Sequence, residues 1–180
     1  MPAVYAEANM GTSDNCSDEF AGNLISAFAI AVSDRINQRI TDATQLNDSS
    51  CFAIVQIANK PGLSIECLSK ILQLKHSSVV RLINKLELNE MIHRHKNTAD
   101  DMRRVSIVLT EKGQELYDCI QNARKEAVQT MLDGFSKADR KIFAKTVGQL
   151  LSKVIDEDMP EERYCKACDA SFNLSDVTGS

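Results

Sequence analysis

The sequence has no tryptophan, only three prolines and seven glycines, and aromatic residues fill just 5% of its 180 positions. That scarcity excludes collagen-like and proline-rich chains and leaves few breakers in the way of long helices. No apolar run approaches the roughly 20 residues that cross a bilayer, so a membrane-spanning protein is not expected. The opening MPAVYAEANMGTSDNCSDEF lacks a basic stretch followed by an apolar one, so no secretory signal is expected there. The six cysteines, at positions 16, 51, 67, 119, 165 and 168, are scattered, which suits reduced thiols in a cytoplasm better than a disulfide framework. Also missing are a nucleophile–base motif, a glycine loop that cradles phosphate and a His-Glu-x-x-His helix; an enzyme is not expected, and neither is a cofactor.

What is present is enough apolar content, 43%, to bury one core, with 26% charged residues to keep it soluble. Residues 1–16 are small, polar and aperiodic and read as a loose arm. From Ser17, Phe20, Leu24, Phe28, Val32 and Ile36 recur at helical spacing, widened by Ile25 and Ile40, and predict a long first helix to about Ile40. Asn47 and Asp48 can cap a second helix carrying Phe52, Ile54, Val55 and Ile57, which Pro61 and Gly62 end. Two short helices follow: one capped by Ser64 with Ile65, Leu68, Ile71 and Leu72 apolar, the other from Lys75 or His76 to about Asn89 with Val79, Leu82, Ile83 and Leu86 apolar. Gln73 and Leu74 form the tight link of a helix-turn-helix.

The period then changes. Met91–Lys96 alternates, Asn97–Asp101 reads as a turn, and the β-branched run Val105–Leu109 reads as a returning strand: a two-stranded wing. Thr110 can cap a long helix with Leu116, Ile120, Ala123, Ala127 and Met131 in one stripe. Ser136 to Asp139 is a capping box opening a last helix with Phe143, Val147, Leu150 and Val154 inward. After Pro160 periodicity is lost in a polar tail holding Cys165 and Cys168.

The net charge of −4 hides a polarity: Ile65–Val105 holds eight basic and five acidic residues, +3, and the remainder carries −7. A basic segment inside an acidic protein is the footprint of a nucleic-acid contact. With its apolar face accounted for, the second helix of the pair turns Lys75, His76, Ser77, Ser78, Arg81, Asn84 and Lys85 outward. Helix N-terminal amides and small hydroxyls suit phosphate oxygens, and the Arg81 guanidinium matches the two acceptors of a guanine edge. At the wing tip Asp101 can orient Arg103 or Arg104 by a charge-assisted hydrogen bond, and an arginine there can enter a minor groove. The bland counterparts are a solvated amphipathic face and a surface ion pair in a polar turn.

With those elements in order, the chain from about Phe20 to Ile155 resembles the MarR (multiple-antibiotic-resistance regulator) family of winged-helix repressors. The similarity rests on Lys60-Pro61-Gly62-Leu63-Ser64, on HSSVVRLINKLELNEMI, on Asp101-Met102-Arg103 and on Leu109-Thr110-Glu111-Lys112-Gly113. It implies a mostly α fold with a small β-hairpin wing, a winged helix-turn-helix whose long N- and C-terminal helices build a homodimer on double-stranded DNA. By position it makes Ser77, Ser78 and Arg81 reading-helix contacts and Asp101 and Arg103 the wing pair, with Arg104 at a variable position. Two departures stand out. Asn89-Glu90-Met91 replaces the family's glycine after the reading helix, with Asn89 as the residue expected to tolerate a left-handed cap. Met102 stands where an arginine is common.

The expected organisation is therefore an arm (1–16), a dimerisation helix and linker (17–46), a winged helix-turn-helix (47–110), C-terminal dimerisation helices (111–158) and a tail (159–180). The DNA-binding set is Lys75, His76, Ser77, Ser78, Arg81, Lys85, Asp101, Arg103 and Arg104. The expected function is a cytoplasmic, ligand-responsive repressor on an inverted-repeat operator. Its effector, by the same resemblance, is a small aromatic or phenolic molecule. The alternatives are a winged-helix interaction module that does not read DNA and a thiol or zinc sensor using Cys165 and Cys168. Two thiols at zinc-ligand spacing fall short of the four ligands of a structural site, so an unligated tail is the preferred reading. Cys51, Cys67 and Cys119 read as core residues or inert thiols. His93 and His95 share one face of a strand; phosphate contact or simple exposure is preferred there over a metal pair, and no metal site is expected.

Overall fold

The computed structural model describes residues 18–96 and 105–154. In chain order these form α1 (Asp18–Thr44), α2 (Asp48–Asn59), α3 (Ile65–Leu72), α4 (His76–Leu88), β1 (Ile92–Lys96), β2 (Val105–Leu109), α5 (Glu111–Leu132) and α6 (Lys137–Val154). Contacts divide the chain into two units, Met1–Arg35 and Ile36–Ser180. In the first, Leu24, Ile25 and Ile30 expose 55%, 49% and 64% of their surface.

The second unit holds the core. Ile54, Ile57, Leu68, Val79, Ile83, Leu86, Ile92, Ile107 and Ile120 are buried in one apolar cluster drawn from α2, α3, α4, the two strands and α5. Helices α2, α3, α5 and α6 start where the sequence offers a cap. Asn47 accepts from the Ser50 amide, Ser64 from Cys67 and Thr110 from Gly113. Ser136 and Asp139 bond reciprocally before α6. α2 ends at Asn59, and Lys60, before Pro61, has left helical geometry at φ −138°, ψ 81°.

β1 and β2 pair antiparallel with Ile92 opposite Leu109 and Lys96 opposite Val105, so the wing and the helix-turn-helix form in the expected order. The turn Pro61-Gly62 then adds a third segment. Gly62, at φ +87°, donates to Ile107 O at 2.9 Å, and Ile107 N donates to Leu63 O at 3.2 Å. The motif at residues 60–64 thus ties the start of the helix-turn-helix to the wing.

Three details correct the sequence reading. α1 passes Ile40 and ends only after Thr44, where Gln45 adopts φ 56° and its amide returns to Thr41 O. No proline or glycine marks that stop, which is why it was invisible. The stripe on α6 is not inward in the single chain: Phe143, Leu150 and Val154 expose 37%, 39% and 61%, Val147 is half-buried, and Gly148 is the buried residue of that helix. The left-handed residue after α4 is Glu90, at φ 60°, whereas Asn89 sits at φ −88°. The Asn89 side-chain amide instead donates to Lys85 O at 2.7 Å, which fixes it in the last helical turn.

Candidate nucleic-acid interface

α4 forms because its apolar residues recur at helical spacing and no breaker interrupts it; Val79, Ile83 and Leu86 are buried and Leu82 is half-buried. That burial fixes the rotation of the helix. Lys75, His76, Ser77, Ser78, Arg81, Asn84 and Lys85 all lie exposed on the other side. The first turn contains no acid, and the Lys75 side chain makes no capping bond. The Ser78 and Val79 amides bond Lys75 O, which leaves those of His76 and Ser77 to an outside acceptor, and no acid of the first turn offsets the partial positive charge of the helix end. Among the described residues, none of Lys75, Arg81 and Lys85 is held in an ion pair. Free cations beside open amides and small hydroxyls form a surface for a polyanion.

α4 is held at both ends. At its start the helix link turns through Gln73 in the left-handed region at φ 53°, and the Ser69 hydroxyl donates to Leu74 O at 2.6 Å. At its end the chain reverses through Glu90. The Thr110 hydroxyl donates to Glu90 O at 2.6 Å, and Lys112 Nζ donates to Asn89 O at 2.9 Å.

Arg94 on β1 is a residue that sequence reasoning passed over. Its Nη2 donates to Asn84 Oδ1 at 2.6 Å and its Nη1 lies 2.8 Å from Glu87 Oε2, so the wing grips the reading helix on one flank. Asn84 and Glu87, three apart, are neighbours on the helix surface, but no sequence pattern pairs them with Arg94 across the reversal at Glu90. This pair also removes Glu87 as a free negative charge beside the basic face.

His93 and His95 lie on the opposite side of β1, and Asp101, Arg103 and Arg104 lie outside the described residues, as do Cys165 and Cys168. Of the remaining cysteines, Cys51 is buried, Cys119 half-buried and Cys67 exposed. Burial pushes the Cys51 thiol up from its ordinary pKa, against a smaller opposing effect of its contact with the Thr44 hydroxyl. A 680 Å³ cleft lies between the C-terminal turns of α1 and the first two thirds of α5, lined by Asp42, Glu115, Asp118 and Glu126 with Arg39, which Glu126 pairs. Four carboxylates against one guanidinium do not suit an aromatic acid. Among the described residues no helix is long and apolar enough to cross a membrane.

Residues 46–105 match the model of the MarR family. An uncharacterized HTH-type transcriptional regulator, YybA of Bacillus subtilis (strain 168), is 24% identical over 101 residues, which cover 56% of this chain and 64% of that protein. The chain thus matches less than two thirds of that relative's length. Among solved structures, a MarR family protein from Bacillus stearothermophilus aligns with a TM-score of 0.66 at 20% identity, over 76% of this chain and 94% of the other. A mutant of S. aureus MepR bound to an oligodeoxyribonucleotide aligns with a TM-score of 0.55 at 20% identity, over 75% and 98%. At such identities the solved structures establish the fold: mostly helical, with the small antiparallel hairpin of a winged helix.

Proposed function

We propose that this chain, whose residues 46–105 match the MarR family, is a sequence-specific DNA-binding transcriptional regulator that acts as a homodimer on an inverted-repeat operator. The observation that carries this reading is the outer face of α4. Lys75, His76, Ser77, Ser78, Arg81 and Lys85 are exposed together at an acid-free helix N-terminus. Such an end accepts phosphate, while a fork-shaped cation one turn further reaches a base edge. The solved MepR mutant bound to an oligodeoxyribonucleotide has the same fold, which supports DNA as the ligand class.

The dimer is supported by apolar surface that the single chain leaves in water: Leu24, Ile25 and Ile30 on α1, Ile142 and Val154 on α6. Side chains of this size rarely stand in such numbers on a monomer. A second copy covers them. Occupancy of an operator by two such lobes blocks access to the underlying DNA, so the regulator acts as a repressor, and a small effector releases it.

The test is selection of bound duplexes from a random library. The expected product is an inverted repeat with half-site centres about 10 base pairs apart, one helical turn. If selection yields no repeat and binding disappears at moderate salt for every sequence, the chain does not read bases and the interaction-module reading takes over.

A further inference from the structure

The wing holds a pair of side chains that the DNA-reading face does not use. Along β1, Ile92 is buried in the core and Arg94 reaches α4, so the intervening His93 and His95 share the other face of the strand. Their rings meet edge to face with centroids 4.5 Å apart, and the two Nε2 atoms are 2.7 Å from each other. His95 is exposed and His93 partly so.

Two imidazole nitrogens converge in this way for one of two reasons. Either one ring donates an N–H to the lone pair of the other, or both lone pairs point at a shared electrophile. Two protonated rings cannot do it, because each nitrogen is then a cationic donor. The spacing is within easy reach of a chelate: Zn–N bonds of about 2.0–2.1 Å at a tetrahedral angle set the nitrogens about 3.3 Å apart. Small side-chain rotations supply that opening of about 0.6 Å, since neither ring is locked in the core.

We propose that His93 and His95 form a two-histidine site for a divalent transition-metal ion at the base of the wing. Imidazole pairs suit Zn2+, Cu2+ and Ni2+ and do not suit Mg2+ or Ca2+, which demand oxygen ligands. Among the described residues no third His, Cys, Asp or Glu joins them, so water or a donor from outside fills the remaining positions. The site is open and exchangeable, unlike a closed structural zinc centre. It stands independently of DNA reading.

The test is a titration of the reduced full-length protein with Zn2+ alone, followed by proton–nitrogen correlation spectra of the imidazole rings. The expected result is a joint shift of the His93 and His95 ring nitrogens, saturating at one equivalent, while His76, isolated on α4, stays in place. His93→Gln or His95→Gln weakens binding by about tenfold or more, because one ligand alone loses the chelate. The Cys165→Ser, Cys168→Ser double variant keeps the shift, which separates the site from the thiols. Rings that do not move while zinc is taken up elsewhere overturn the proposal, and so does an isotherm unchanged in both glutamine variants. In either case the 2.7 Å contact is a hydrogen bond between two tautomers and nothing more. Should a glutamine variant unfold, the ring shifts in the parent protein decide.

Discussion

Gly113 lies so close to Met91 that a Cβ on it would stand 2.0 Å from the Met91 carbonyl oxygen. The absence of a side chain lets the first turn of α5 press against the reversal that follows the reading helix. Around that contact, Thr110 bonds Glu90 O through its hydroxyl and Met91 O through its amide, and Lys112 bonds Asn89 O. Residues 109–113 are therefore a latch. They cap α5 and at the same time hold the exit of α4 through its backbone carbonyls, beside the Arg94 tie and the core packing that join the wing to the same helix.

Closing that space should be costly. Gly113→Ala must displace backbone, and a loss of about 3 kcal/mol in denaturant unfolding is expected. Glu90 supplies the complementary test, because a left-handed conformation strains any residue with a Cβ by roughly 1 kcal/mol. Glu90→Gly should stabilise the fold by up to about that amount. Asn89→Gly should destabilise it, since Asn89 sits at negative φ as the cap of α4 and its side chain bonds Lys85 O. Equal gains at both positions would mean that the left-handed residue has been misplaced.

The grip of Arg94 on α4 can be measured by a double-mutant cycle. Arg94 and Glu87 keep 27% and 37% of their side-chain surface exposed, so solvent screens the pair and a coupling of about 0.5–1 kcal/mol is expected between Arg94→Met and Glu87→Gln. The Arg94 Nε is buried without a partner among the described residues, which reduces the net value of the arginine further. A coupling near zero would show that the ion pair does not hold the wing to the helix.

The order of helices and strands was legible because burial imposes periodicity: Val79, Ile83 and Leu86 identify one face of α4 before any coordinates exist. The caps at Asn47, Ser64 and Thr110 were legible because a side-chain oxygen before an apolar run has a specific donor to satisfy. Backbone strain was not. Gln45, Gln73 and Glu90 all adopt positive φ at helix ends without being glycine or asparagine, so residue type does not announce them. The tie from Arg94 to Asn84 joins positions ten apart through the reversal at Glu90, and no local pattern encodes it. On α6 the periodicity was real but its direction was not readable, because a stripe facing a second chain looks the same as one facing its own core.

The thiols should separate by environment. Burial raises the Cys51 pKa, so its reactive thiolate is scarcer at a given pH than at an ordinary cysteine, and labelling should appear only as pH rises further. Cys67 is exposed. Peptide-level mass spectrometry after brief iodoacetamide treatment near neutral pH should find Cys67 modified and Cys51 intact. Equal labelling of the two would mean that α2 opens on the timescale of the reaction.

Assembly should depend on the exposed apolar residues of α1 and α6. Sedimentation at micromolar concentration should show a dimer, and Leu24→Asp or Ile142→Asp should shift it toward monomer while the winged helix keeps its core. A parent protein that sediments as a folded monomer would remove the symmetric operator from consideration.

DNA reading assigns different roles to cations that look alike in composition. Arg81 is exposed one turn into α4, where a guanidinium can span the two acceptors of a guanine. Arg81→Ala should lose about 1–3 kcal/mol on the selected operator and relax preference at one symmetric pair of positions. Lys85, a further turn along, is a point charge suited to phosphate. Lys85→Ala should weaken binding to all sequences alike and reduce the salt slope by about one unit. Arg103 lies outside the described residues, and its proposed place is the minor groove. Arg103→Ala should therefore cost most on operators flanked by narrow A·T tracts. Competition binding on a randomised operator library across several salt concentrations separates the three, because base reading, charge neutralisation and groove shape respond to different variables. Parental affinity and preference in both Arg81→Ala and Arg103→Ala would show that this face does not meet DNA.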